Sequence, residues 1–233
     1  MKRLIKTFSI MLGIGILTTQ VFAQKPSPEL LTPTNHALVL IDYESQMAFP
    51  VKNISVEQLR NNSAIVAGAS KIFKVSTVVT TVAAKSFSGP VFPEIAEFYP
   101  VKSTNHIDRT TMNTWEDVNV YKAITTLNKK RIVLAGLWTS VCIVEPALSA
   151  KAEGYDVYVI TDASGDISDE AHEMAINRMM QAGIKTMTSI QYILELQRDW
   201  ARAETYNAVT ELIEKYGGAY GIGIQYGHEM LPH

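Results

Sequence analysis

The chain has 233 residues, 47% hydrophobic and 19% charged, with a formal net charge of −2, which fits one medium-sized globular domain and excludes a disordered chain. A mildly acidic balance argues against nucleic acid as the main partner, because phosphate binding needs a positive field. One cysteine excludes an internal disulfide or a multi-cysteine zinc site, and five scattered histidines show no ligand spacing.

The first predicted element is an export signal. Met1–Lys6 is basic, Phe8–Leu17 is apolar, and Val21-Phe22-Ala23 places small residues at −3 and −1 of a cut after Ala23. An apolar run of about 10 residues falls short of the ~20 that a spanning helix needs. Residues 1–23 therefore read as a cleaved secretory signal, with no stable membrane insertion and a bacterial periplasm as the expected destination. A Pro-rich lead, 24–34, precedes the domain, which is placed at 35–200. Ala37–Asp42 is a continuous apolar run ending in a carboxylate, as in a strand buried on both faces of a parallel sheet. Ser55-Val-Glu-Gln58 fits a capping box, and the helix it opens continues to Phe73. Ser76–Val82 is the second strand, followed by a Gly- and Pro-containing loop at 88–93. A short polar strand is placed at His106–Arg109, a helix at Trp115–Leu127 and a buried strand at Arg131–Gly136. A helix at Ser140–Glu153 closes at Gly154, with Thr139 or Ser140 as its N-cap. Asp156–Thr161 reads as a strand, Ser168–Gly183 as a helix, Ile184–Thr188 as the last strand and Ile190–Trp200 as a helix. This alternation predicts an α/β fold with a mainly parallel sheet. In the remaining segment, 201–233, Tyr206–Tyr216 is expected to be helical and Gly217–Gly227 irregular. Its Tyr216, Tyr220, Ile222, Ile224 and Tyr226 suit docking onto a neighbouring subunit.

Ligands of open parallel sheets bind beyond the carboxyl ends of the strands. That rule selects Asp42 after the first strand, Arg109 at the end of the third, Cys142 beyond the fourth and Asp162 after the fifth. Cys142 near a helix N-terminus, with a guanidinium close by, predicts a stabilised thiolate nucleophile. Asp42 would move the proton and the amides of 138–142 would form an oxyanion hole. The alternatives at this level are that Cys142 is a small buried hydrophobe and that Asp42 caps a loop. Asp162 reads as a loop-stabilising acid and His172 as a structural histidine.

Leu40-Ile-Asp42, Leu134-Ala-Gly-Leu-Trp-Thr-Ser-Val-Cys-Ile-Val144 and Gly154-Tyr-Asp-Val-Tyr-Val-Ile-Thr-Asp-Ala163 together resemble the isochorismatase-like cysteine hydrolase superfamily over roughly 35–200. Pro146–Ala150, Arg178–Gly183 and Arg198-Asp-Trp200 resemble its YcaC-type branch. The resemblance implies a three-layer α/β/α sandwich with a Rossmann-like sheet and a catalytic triad of Asp, Lys and Cys. Asp42 falls on the acid/base position and Cys142 on the nucleophile. It also implies a non-proline cis peptide at Leu137–Trp138, with Leu137, Trp138 and Cys142 around the oxyanion hole. The lysine position falls on Arg109, which keeps the positive charge but carries no exchangeable proton at ordinary pH. Lys85 and Lys102 fit the spacing less well. No histidine stands between His36 and His106 to complete the metal cluster of nicotinamidase relatives, so no metal is expected and no cofactor is called for, and Cys142 favours carbonyl hydrolysis over vinyl-ether cleavage.

The leading expectation is an exported hydrolase that acts on a small amide, carbamoyl or related carbonyl substrate through a covalent Cys142 intermediate. Phe87 and Trp138 are its candidate pocket walls, and a homo-oligomer is the expected assembly. The alternatives keep the fold but make Cys142 a redox-reactive thiol, or make the protein a catalytically silent oligomeric binder.

Overall fold

The computed structural model describes residues 25–231, so the predicted export signal lies outside the described residues. Residues 25–30 form an exposed turn of their own, in which the Leu30 amide donates to the Ser27 carbonyl at 3.2 Å. A separate compact unit begins at Leu31.

That unit is built on strands β1 (His36–Ile41), β2 (Ser76–Val82), β3 (His106–Arg109), β4 (Arg131–Gly136), β5 (Asp156–Ile160) and β6 (Lys185–Met187). They form a six-stranded sheet of order β3-β2-β1-β4-β5-β6, and every pairing is parallel. The helices are α1 (Ser45–Ala48), α2 (Val56–Ile72), α3 (Pro93–Phe98), α4 (Val118–Thr126), α5 (Val144–Ala152), α6 (Asp169–Gln181), α7 (Ser189–Gln197), α8 (Ala203–Tyr216) and α9 (Ala219–Met230). Alternate strand residues feed two cores. Leu38, Leu40, Val133 and Ala135 pack with α2, α3, α7 and α8, whereas Val39, Ile41, Ile132 and Leu134 pack with α4, α5 and α6. The result is a three-layer sandwich, and the continuous apolar runs of β1 and β4 follow from burial on both faces.

Local chemistry explains where the helices start. The Ser55 hydroxyl accepts from the Gln58 amide, Ser168 from Ala171 and Thr188 from Gln191. The helix expected at Trp115 begins later, at α4, because Asp117 accepts from the Asn119 and Val120 amides and caps there. Trp115 stays in a 3₁₀ turn, where its indole donates to Glu153 at 2.8 Å. The helix expected from Ser140 also starts late. Thr139–Ile143 winds as a π-helical turn, and α5 begins only at Val144. Neither Thr139 nor Ser140 caps it, because the Thr139 hydroxyl is turned towards Gly165 and His172.

The Gly-rich C-terminal segment is helical rather than irregular. Gly217 and Gly218 reverse the chain, with Gly218 at φ +55°, and α9 folds back against α8. A Cβ at Gly221 would stand 2.5 Å from the Ile213 carbonyl oxygen, so this glycine permits close helix–helix approach rather than breaking the helix. Ile224 faces the core while Ile222, Tyr226 and Met230 remain exposed. Among the described residues no helix is long and apolar enough to cross a membrane.

Candidate active site

The register of the sheet assembles the site. Ile41 pairs with both Thr80 and Gly136, and Val82 pairs with Arg109, so the carboxyl ends of β1, β2, β3 and β4 lie together. A Cβ on Gly136 would fall 1.9 Å from the Ile41 carbonyl oxygen, so only glycine lets β4 run this close to β1 before the cysteine turn. Asp42 and Ala83, just past the ends of β1 and β2, both have left-handed backbones (φ +55° and +50°). Such strain in non-glycine residues persists only where surrounding structure enforces it.

Asp42 and Arg109 form a fully buried ion pair, Nη2 to Oδ2 at 2.8 Å. The other carboxylate oxygen, Oδ1, accepts from no other residue and is the one left for the Cys142 thiol, which interacts with this carboxylate. Asp42, Arg109 and Cys142 are thus one cluster. Lys85 and Lys102 are exposed and make no contact with it, so Arg109 supplies its positive charge.

Burial dominates the electrostatics. It pushes the Asp42 carboxyl up to about 6, against the opposing pull of Arg109. Burial, followed by the charge of Asp42, pushes the Cys142 thiol up to about 12, and Arg109 only partly offsets this. Burial thus opposes the stabilised thiolate expected from the sequence. Cys142 sits inside the π turn rather than in the first turn of α5, and it is only 3% exposed, so desolvation outweighs the helix dipole.

The cysteine turn is tied down at successive residues. The Trp138 indole donates to the Met47 carbonyl at 2.7 Å, the Thr139 amide to Gly165 at 2.9 Å and the Ser140 amide to Asp166 Oδ2 at 2.7 Å. Thr139 Oγ1 also meets His172 Nδ1 at 2.9 Å, so His172 braces the turn from α6. The Leu137–Trp138 peptide is cis. Of the amides expected to face an oxyanion, that of Leu137 is committed to Ile41 and that of Val141 to Trp138. Thr139 and Ser140 are engaged as well, and the Trp138 backbone directs its hydrogen bond at the Cys142 sulfur. Asp162 lies apart, accepting from the Ser189 amide (2.7 Å) and hydroxyl (2.8 Å) at the start of α7.

On the open side of Cys142 is a cavity of about 370 Å³, lined by Met47, Val82, Ala83, Phe87, Ser88, Thr110, Met112, Trp138, Val141 and Cys142. Phe87 and Trp138 are both in its wall. Met47 and Met112 carry no sequence signal beyond being apolar, and they reach the site only through the packing of α1 and the loop after β3. Glu44 was also missed. It is fully buried, accepts from the Val82 amide at 2.9 Å, and is pushed up to about 8 by burial, with Asp42 and Asp108 adding to the rise. Asp166 is likewise buried, and its carboxylate also accepts from the Ile167 amide at 2.8 Å. Its signal, a polar loop residue directly after a glycine, is too common to stand out. Among the described residues no group of three or more His, Cys, Asp or Glu side chains is arranged to hold a metal ion.

Comparison with known proteins places this geometry. The isochorismatase domain model matches residues 36–191. The probable hydrolase YcaC of Escherichia coli (strain K12) is 34% identical over 171 residues, covering 73% of this chain and 81% of that protein. The E. coli YcaC crystal structure, an octameric hydrolase of unknown specificity, superposes with a TM-score of 0.81 at 31% identity, covering 90% of this chain and all of that one. YcaC from Pseudomonas aeruginosa, solved with hexane-2,5-diol and covalent acrylamide, gives 0.80 at 29% identity, covering 88% of this chain and all of that one.

Proposed function

This chain belongs to the isochorismatase family and is a YcaC-like hydrolase, and from that premise we propose that it hydrolyses a small amide, carbamoyl or related carbonyl substrate through a covalent intermediate on Cys142. The observation that carries the reading is the position of one sulfur between a buried Asp42–Arg109 pair and an otherwise apolar cavity.

Asp42 Oδ1 takes the thiol proton as Sγ attacks the carbonyl carbon, and Arg109 holds the carboxylate in place. The amides of Trp138 and Cys142 receive the charge on the carbonyl oxygen. Asp42 then returns its proton to the departing amine, leaving a thioester. Water attacks that thioester, its proton passes to Asp42 and then to Sγ, and the acid is released. Arg109 serves this cycle as a fixed charge, because all the proton traffic runs through Asp42. The raised thiol argues against the redox-sensing alternative, since a neutral, buried sulfur oxidises slowly. The covalent acrylamide on the P. aeruginosa relative supports an electrophile-accepting site of this kind.

The proposal includes export, with the signal cut after Ala23, and assembly as a homo-oligomer in the manner of the E. coli octamer. Intact mass of protein recovered from the expressing cell tests the first, and native mass spectrometry tests the second. For the chemistry, a quenched reaction with an amide substrate should show an acyl mass increment on Cys142. Cys142→Ser should lose turnover by about 10³-fold or more. Turnover of that variant at the parent rate would overturn the covalent route.

A further inference from the structure

We propose that the cavity beside Cys142 receives an uncharged, hydrophobic acyl group, so that the substrates are neutral alkyl or aryl carbonyl compounds and not ones bearing a carboxylate or an ammonium near the reacting carbon. This rests on the hydrolase reading above and adds to it the class of substrate.

The wall is made of Met47, Val82, Phe87, Met112, Trp138 and Val141, and no charged side chain lines it. The one polar group on Trp138 faces away from a ligand, because the indole N–H is already given to the Met47 carbonyl. Arg109 would be the obvious receptor for a substrate carboxylate. It is fully buried, bonded to Asp42 and absent from the lining, so its charge serves the catalytic acid rather than the cavity. Lys85, on the turn between β2 and α3, points out to solvent and lines no part of the cavity. A charged group entering here would lose its water and meet no counter-ion. The fit to an apolar group is positive as well. Phe87 and Met112 stand 63% exposed at the mouth, and a hydrophobic ligand would cover them. The polar side chains of the lining are the neutral hydroxyls of Thr110 and Ser88, the latter buried and without a partner, which suit an uncharged ligand.

Two measurements on the full-length protein separate this inference from the reading it rests on. In the first, kcat/KM for ammonia release is compared across butanamide, hexanamide and benzamide, and against the charged analogues succinamate and 4-aminobutanamide. The expected result is a rise of about fourfold per buried methylene until the cavity fills, with both charged amides at least ~100-fold poorer. In the second, Cys142 is labelled with benzyl, sulfonatoethyl and trimethylammonioethyl methanethiosulfonates, each rate being divided by that for glutathione. The neutral reagent should lead both charged ones by about tenfold or more, which separates a preference for neutrality from attraction or repulsion by Asp42. Amide turnover that favours a charged analogue overturns the inference and leaves the hydrolase reading standing. Labelling that favours the benzyl reagent without turnover of any amide supports the cavity's ligand class while removing amide hydrolysis. Equal labelling by all three reagents overturns the inference whatever the turnover.

Discussion

Behind the Cys142 sulfur the chain packs Asp42, Glu44 and Arg109 out of water, while in front it leaves a cavity walled by Met47, Val82, Trp138 and Val141. Burial works differently on the two sides. Behind the sulfur it pushes the two acids and the thiol above their ordinary values, against the pull of Arg109. In front it creates a surface that gains from covering apolar matter and loses from admitting charge. Charge is thus kept where the fold supplies its partner and withheld where a ligand would have to.

The largest expected effect comes from removing the proposed proton acceptor. Asp42→Asn should cost about 10²–10⁴ in turnover, read as kcat. In the parent enzyme activity should rise through an acid limb near Asp42's value of about 6, since only the ionised carboxylate accepts the thiol proton. A parent profile flat from pH 5 to 7 would sever Asp42 from the proton transfer. Next, Arg109→Met leaves the Asp42 carboxylate uncompensated in the interior, and urea unfolding at pH 7 should show a loss of about 3–5 kcal/mol. The same variant should move the acid limb of any remaining activity to higher pH, a shift that mere loosening of the fold would not give.

A smaller effect separates Glu44 from its neighbours. Burial raises both Asp42 and Glu44 above their unfolded values, 3.8 to about 6 and 4.5 to about 8. The native state therefore binds more protons, and the stability tied to these groups is complete below pH ~4 and lost as pH rises through ~8. Tm should fall across that window, with Asp42 acting in the lower part and Glu44 extending it upward. Glu44→Gln keeps an acceptor for the Val82 amide and should flatten the decline between pH 6 and 8. An unaltered slope would show that Glu44 is already ionised in the folded protein. The smallest effect is at the mouth of the cavity. Phe87→Ala removes a largely exposed ring and should change stability by no more than about 0.5 kcal/mol, while raising KM for apolar substrates with kcat unchanged.

The order of strands and helices was legible because β1 and β4 are continuous apolar runs and the starts of α2, α6 and α7 carry capping side chains. The strand-end rule pointed to Asp42, Arg109 and Cys142 for the same reason, since the carboxyl edge of a parallel sheet is implicit in the alternation. The tail was misread because glycine's usual role as a helix breaker was applied to Gly221, whose purpose is contact with Ile213. The sequence pointed to a stabilised thiolate because a helix dipole is a local property, whereas the desolvation that opposes it comes from distant segments.

The sequence by itself determined the α/β alternation, the family resemblance and the three side chains at the sheet edge, all of which depend on residue type and spacing along the chain. Packing alone settled that Oδ1 of Asp42 is the free oxygen, that Glu44 shares its burial, that the Trp138 backbone turns to the sulfur, and that Met47 and Met112 meet in one apolar wall. Those outcomes depend on which groups find partners and which lose water when distant segments pack together, and no local pattern encodes them.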